Sequence, residues 1–282
     1  MKKGTARLSD NHRRSFTSAL IVVEKMLMDI KESLSIHSGS CCYELEMDVG
    51  EKEKADILDL LNEHELELVA QHWETSHPDP FLHKEIYKRH LLNLAEARPL
   101  FINSQTGKDH FSFEDNSALI KVSFEVAKET GIPVVHETHR GKFSFAVHIT
   151  RQYLEKIPDL VLGLDISHWC NVAESLLQDQ QEALNIALSR TRHIHARVGY
   201  AEGPQITDPR LPEWEEALNF HLSSWDKVVE NFRQNGRECL TITPEFGPYP
   251  YMLHLPYTQM PVANQWEINL YMKDLLKQRY KQ

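Results

Sequence analysis

The chain has no run of about 18 consecutive apolar residues, no CxxC pair and no strongly basic stretch, and each absence removes a class of function. Without the apolar run, no membrane span is expected. The segment Ala19-Leu20-Ile21-Val22-Val23 follows basic residues, but Glu24 and Lys25 interrupt it and no small-residue cleavage site follows, so it does not read as a signal peptide. The four cysteines, Cys41, Cys42, Cys170 and Cys239, lack the spacing of a disulfide framework or a zinc knuckle. They read as reduced thiols in a cytoplasmic protein. With 31 basic against 41 acidic residues the formal net charge is −10, which repels a phosphate backbone, so nucleic acid is not an expected partner. There is no short internal repeat and no low-complexity segment.

What is present is enough apolar material for a full core. At 282 residues and 41% hydrophobic content the chain can form one α/β barrel or two smaller domains. Phe16, Leu20, Val23, Leu27, Ile30 and Leu34 recur at helical spacing, which predicts a long amphipathic helix from Asn11 to Leu34, capped at Ser9 or Asp10 and broken by Ser38-Gly39-Ser40. Strands are predicted at residues 41–47, 66–71, 99–103, 133–137, 161–165, 193–198 and 240–245. Helices are predicted at 52–63, 83–97, 115–130, 145–156, 173–189 and 214–235, the last closed by Gly236. Alternating strand and helix is the pattern of a right-handed parallel βα array. The expected division is an N-terminal helical segment over residues 1–40 and a barrel over 41–282. Seven strands are one short of a closed eight-stranded barrel, and Lys2-Lys3-Gly4-Thr5-Ala6-Arg7 makes a poor buried strand.

Four apolar runs end in residues able to bind a metal ion. They are Ile132-Pro133-Val134-Val135-His136-Glu137, Leu160-Val161-Leu162-Gly163-Leu164-Asp165, His193-Ile194-His195 and Leu240-Thr241-Ile242-Thr243-Pro244-Glu245. In a parallel β/α barrel the C-terminal strand ends converge on one face, so Glu137, Asp165, His195 and Glu245 would meet there. Three carboxylates and one imidazole suit Mn²⁺, Mg²⁺ or Co²⁺, with Zn²⁺ also compatible. An acidic residue at a strand end is more often a helix cap than a ligand. The joint pattern over four successive strands is what outweighs that reading. Around these residues lie further polar groups: His139 and Arg140 after the first carboxylate, His168 three residues after Asp165, and Arg197 two residues past His195 on the same strand face. Such donors suit the hydroxyls of a polyol.

From about Tyr43 to Tyr280 the chain resembles the sugar phosphate isomerase/epimerase superfamily, the xylose-isomerase-like TIM barrels. The resemblance is carried by His136-Glu137-Thr138-His139-Arg140-Gly141, Asp165-Ile166-Ser167-His168, His195-Ala196-Arg197-Val198-Gly199, Pro244-Glu245 and Trp266-Glu267-Ile268-Asn269. It implies a (β/α)8 fold, metal ligands at Glu137, Asp165, His195 and Glu245 on strands five to eight, and contact of His168 and Arg197 with a small carbohydrate. It also makes residues 41–47 the second strand, so the first strand should precede the helix at 11–34, where the sequence departs from the family pattern. In this family a divalent ion chelated by a carbonyl and its neighbouring hydroxyl acidifies the adjacent C–H. Glu137 and Glu245 would then remove and return the proton.

Other readings stay open. A phosphodiester-cleaving relative of the endonuclease IV type would use a multi-zinc cluster, which the acidic balance counts against. A non-catalytic metal-binding barrel could act as an interaction scaffold, with the N-terminal helix as docking element. His110, His148, His221 and His254 read as surface or satisfied core residues. Trp73 after Gln71-His72 and the loop Asn103–Asp109 read as pocket wall. Lys108 could meet a substrate phosphate, although one lysine is not a phosphate site, so phosphorylation of the substrate is left open, as is self-association. The turn-rich segment from Tyr200 to Trp214 reads as a substrate-covering loop.

Overall fold

The computed structural model describes residues 19–25, 42–46, 51–64, 66–236 and 239–280. Six parallel strands form a curled half-barrel: β3 (Glu67–His72), β4 (Ile102–Ser104), β5 (Val134–Glu137), β6 (Leu162–Leu164), β7 (Thr191–His195) and β8 (Cys239–Thr243). The backbone of β2 (Cys42–Glu46) pairs with β3, and that of β1 (Ala19–Lys25) pairs with β2 on one side and β8 on the other. The strand order along these pairings is that of a closed ring.

The strand at Ala19–Lys25 corrects the helix expected from Asn11 to Leu34. The spacing of Leu20 and Val23 fits a helical stripe, but Leu20-Ile21-Val22-Val23 is also an unbroken, largely β-branched run, as strands buried on both faces require. The backbone of that run pairs with β2 and with β8. The rest of the expected helix, its cap at Ser9 or Asp10, the break at Ser38-Gly39-Ser40 and the segment 2–7 lie outside the described residues.

The connecting helices are α1 (Glu51–Glu63), α2 (Pro80–Glu96), α3 (Phe113–Thr130), α4 (Val147–Lys156), α5 (Ile166–Ala173), α6 (Gln181–Ser189), α7 (Glu215–Gln234) and α8 (Gln265–Tyr280), with a 3₁₀ turn at Pro212–Trp214. Local chemistry sets their ends. Asp79 accepts from the Leu82 amide with Pro80 in the first turn, and Ser112 accepts from the Asp115 amide. Gly131, at φ 77°, closes α3 in the left-handed conformation just before β5 begins. The helix expected over 173–189 is confined to α6, Gln181–Ser189, because α5 ends at Ala173 and the chain leaves it through Glu174 and Leu177, both at positive φ. The C-terminal helix α8 was not among those predicted.

Strand alternation sorts most of the strand residues by polarity. Leu68, Ala70, Ile102 and Val134 face outward and pack with Ile57, Leu61, Tyr87, Leu91 and Val126 of the surrounding helices. Leu162, Leu164, Ile194, Leu240 and Ile242 pack with Trp169, Trp225, Ile268, Met272 and Leu276. The opposite set holds the buried valines Val69 and Val135, but towards the strand ends it is Gln71, Asn103, Glu137, Gly163, His193, His195, Thr241 and Thr243, which are polar or lack a side chain. These residues point into the ring, and the polar side chains at its C-terminal end build the site.

Candidate metal centre

Glu137 ends β5, Asp165 follows β6, His195 ends β7 and Glu245 lies two residues past β8. All four are buried, and one ligand atom from each lies within 4.8 Å of those of the other three. His195 Nδ1 contacts Glu245 Oε2 and is 3.7 Å from Glu137 Oε1. Asp165 also caps α5, accepting the Ser167 amide at 2.9 Å and the Ser167 hydroxyl at 2.5 Å through Oδ1. Its backbone amide and carbonyl are both taken by the Thr138 hydroxyl. The helix cap therefore does not take Asp165 out of the cluster of candidate ligands.

Residues on the preceding strands hold Glu137. Gln71 Nε2 and Asn103 Nδ2 each donate to Glu137 Oε2 at 2.9 Å, and Gln105 Nε2 donates to Oε1 at 3.1 Å. Asn103 Nδ2 is also 3.1 Å from His195 Nε2 and 2.9 Å from Gln71 Oε1. Gly163 makes this possible: a Cβ there would sit 2.3 Å from Asn103 Oδ1. On the other side, Asn269 of α8 holds the chain beside Glu245, accepting from the Phe246 amide at 2.8 Å and donating to its carbonyl at 3.1 Å. That contact gives the C-terminal Trp266–Asn269 motif a physical role.

The candidate substrate residues gather next to the cluster. Arg197 is buried and pairs with Asp165 Oδ2, while its Nη2 lies 2.9 Å from His168 Nε2. Burial works against the guanidinium charge, but Asp165 and Glu245 hold it protonated. His168 is wholly buried, and its Nδ1 has no hydrogen-bond partner among the described residues. Burial and the neighbouring His139 keep it neutral. His139 donates Nδ1–H to the Arg140 carbonyl at 2.7 Å, and burial pushes it down to about 4. Its ring is 3.8 Å from that of His168. Arg140 is exposed at the edge, hydrogen-bonded to Asn171. The ring of Tyr251, from the chain after β8, lies 4.5 Å from the Arg197 guanidinium and 5.7 Å from that of Arg140. Nothing in the sequence pattern singled out Tyr251.

Several expectations about the wall can now be read. Gln71, Asn103 and Gln105 touch Glu137 directly, whereas Trp73 is 47% exposed at the edge. The segment after β7 is built into the wall: Gly203, Gln205 and Ile206 are buried, and Gln205 clamps Gly247 through both its amide and its carbonyl. His221 is a satisfied core residue, accepting from the Gly199 amide and donating to the Ala217 carbonyl. His136, beside Glu137 but facing α3, is likewise bound by Thr106 and Ser123.

The cluster fits a divalent cation. Three buried carboxylates against the one guanidinium of Arg197 leave a formal charge of −2, which is costly to bury without a counter-ion. The oxygen and nitrogen donors are those a hard or borderline ion prefers.

No family model matches the chain, and no curated protein matches it by sequence. Solved structures do match by shape. A D-allulose 3-epimerase from Methylomonas sp. is 14% identical at a TM-score of 0.59, covering 94% of this chain and 100% of its own. A xylose isomerase domain protein from Planctomyces limnophilus is 14% identical at a TM-score of 0.58, covering 93% and 97%. A xylose isomerase-like TIM barrel protein from Mycobacterium smegmatis, solved in complex with magnesium, is 10% identical at a TM-score of 0.54, covering 84% of each chain. The likeness read in the sequence therefore holds at the level of the fold.

Proposed function

We propose that the chain is a complete (β/α)8 barrel starting at β1, and that it is a metal-dependent isomerase or epimerase of a sugar or sugar phosphate. The observation that carries this reading is the convergence of Glu137, Asp165, His195 and Glu245, one from each of four successive strand ends, into one buried cluster. The epimerase and the magnesium-bound barrel among the structural neighbours support it. A bound Mn²⁺, Mg²⁺ or Co²⁺ would polarise a substrate carbonyl and acidify the C–H beside it.

The side chains divide the remaining work. Glu137 and Glu245 both approach His195 Nδ1 from different strand ends, and in this reading one takes a proton from the carbon and the other, protonated, returns one. Gln71, Asn103 and Gln105 aim the Glu137 carboxylate by hydrogen bonds to both its oxygens. His168, neutral and with Nδ1 available, hydrogen-bonds a substrate oxygen. Arg197, held by Asp165, orients a second one. Tyr251 closes this side against water.

The test is proton exchange. Mn²⁺-loaded protein in heavy water, incubated with a panel of ketoses and followed by NMR, is expected to replace the C–H next to the carbonyl with deuterium for at least one sugar. Glu137→Gln and Glu245→Gln should each abolish the exchange. No exchange with any ketose or ketose phosphate, from protein that holds the metal, would favour the non-catalytic scaffold instead.

A further inference from the structure

Two lysines are nearly buried among the described residues, and they differ in how they are satisfied. Lys54, 6% exposed, donates to the Asn93 carbonyl at 3.0 Å and to the Asn93 side chain at 2.6 Å, and lies 3.5 Å from Glu96 Oε2. Lys142, 8% exposed, has one hydrogen bond, a long one of 3.4 Å to the Trp73 carbonyl. An ammonium carries three donors, and a buried charge with most of them unused is costly. Lys54 is a structural tie. Lys142 is held for something else.

Its position says what. Lys142 follows β5, five residues after Glu137, and its charge is felt at His72, His83 and His139. Burial and the neighbouring Lys108 bring its pKa down to about 8, against the opposing fields of Glu137 and Glu74. The two lysine loops are stitched together, with the Phe143 amide donating to the Thr106 carbonyl at 3.2 Å and the Asp109 amide to the Gly141 carbonyl at 3.4 Å. Asn116 grips Lys108 by its backbone amide and carbonyl. Gly107, at φ 65°, lets Asn116 approach, since a Cβ there would lie 2.1 Å from Asn116 Oδ1. Two lysines are thus carried on loops tied to each other at the strand-end face, near enough for the charge of Lys108 to act on Lys142, in a chain whose net charge is −10. Such a local positive field attracts an anion.

We propose that Lys142, with Lys108 beside it, forms an anion subsite next to the metal centre, and that the sugar bound there carries a carboxylate or phosphate away from its reacting carbonyl. The subsite rests on the isomerase reading for the rest of the substrate, but not for its own existence. The anion accepts from the unused Lys142 donors, while Trp73 forms the wall on the β3 side.

The experiment is calorimetric binding to the Mn²⁺-loaded full chain of D-fructose, D-fructose 6-phosphate, D-glucuronate and inorganic phosphate, in the intact protein, Lys142→Gln and Lys142→Arg. A charged sugar is expected to bind about tenfold or more tighter than fructose, the scale of one charge-assisted hydrogen bond. Lys142→Gln should remove that advantage and leave fructose binding and the thermal melt unchanged, and Lys142→Arg should keep part of it. Whichever charged sugar loses more in Lys142→Gln identifies carboxylate or phosphate as the group. Equal binding of charged and neutral sugars, or equal weakening of both in Lys142→Gln, overturns the subsite and leaves the isomerase reading standing. If no sugar binds but inorganic phosphate does, in a Lys142-dependent way, the subsite stands and the isomerase reading falls. If nothing binds, both fall.

Discussion

The strand-end face has two unlike halves. From β5 to β8 it carries charge, with Glu137, Asp165, His195, Arg197 and Glu245 converging in a buried cluster. From β3 to β4 the side chains that face the cluster are neutral, Gln71, Asn103 and Gln105, with His72, Ser104, Thr106 and Tyr87 joined behind them in a buried hydrogen-bond network. The first half has the candidate ligands and the second has donors that aim one of them. The same position in the fold therefore serves two purposes, and side-chain chemistry decides which. A carboxylate in this setting needs a cation, whereas an amide completes its bonds with the carboxylate already there.

Substitutions in the two halves should differ in size. Glu245→Gln removes a ligand and is expected to lower Mn²⁺ affinity by more than the ~10- to 100-fold typical of losing an outer partner. Asn103→Ala, in the neutral half, is expected to fall within that ~10- to 100-fold range, because Glu137 keeps Gln71 and Gln105. Calorimetric titration of both variants measures the gap, and equal losses would erase the distinction between the halves.

Acid tests the support behind the charged half. His221 accepts the Gly199 amide two residues past Arg197, and burial pushes it down to about 4 from its ordinary 6.5. A base whose folded pKa is lowered stabilises the fold fully above pH 6.5 and progressively less as pH falls from there towards 4. By pH 5 the loss from this residue is about 2 kcal/mol, so the acid drop in urea unfolding free energy, to which the other buried histidines also contribute, should be smaller by about that amount in His221→Gln.

Gly163 joins the halves sterically. Gly163→Ala should destabilise the protein and weaken metal binding, since its Cβ would collide with Asn103 Oδ1. In an Asn103→Ala background the same change should cost less, by about 1 kcal/mol or more of coupling in a double-mutant cycle. The smallest effect is expected behind β5. Ser123→Ala removes one hydrogen bond to His136 and should cost about 1 kcal/mol in thermal or urea unfolding while leaving Mn²⁺ affinity unchanged.

Much of the charged half was legible in the sequence because strand periodicity and ligand type coincide at Glu137, Asp165, His195 and Glu245. The neutral half was only half-seen. Trp73 and the loop from Asn103 were read as wall and Gln71 had no role, since amides occur at many strand ends and only their shared contact with Glu137 gives Gln71 and Asn103 theirs. Asn269 was recognised as part of a motif without a reason, and its hold on Phe246 spans 23 residues that no local pattern reveals. Tyr251 and Lys142 sit in loops without periodicity, so their positions over Arg197 and beside Lys108 exist only in three dimensions. At the N-terminus two periods fitted the same residues. Leu20-Ile21-Val22-Val23 satisfies a helical stripe and a buried strand, and the pairing of its backbone with β2 and β8 decides for the strand.

The most direct test is calorimetric titration of the chelator-stripped intact protein with Mn²⁺, beside Glu245→Gln. The account predicts saturable binding of about one ion per chain, supplied by the four ligands of one cluster, and its collapse in the variant. No binding by the intact protein, or binding that Glu245→Gln leaves untouched, would contradict the claim that these four side chains form a metal centre.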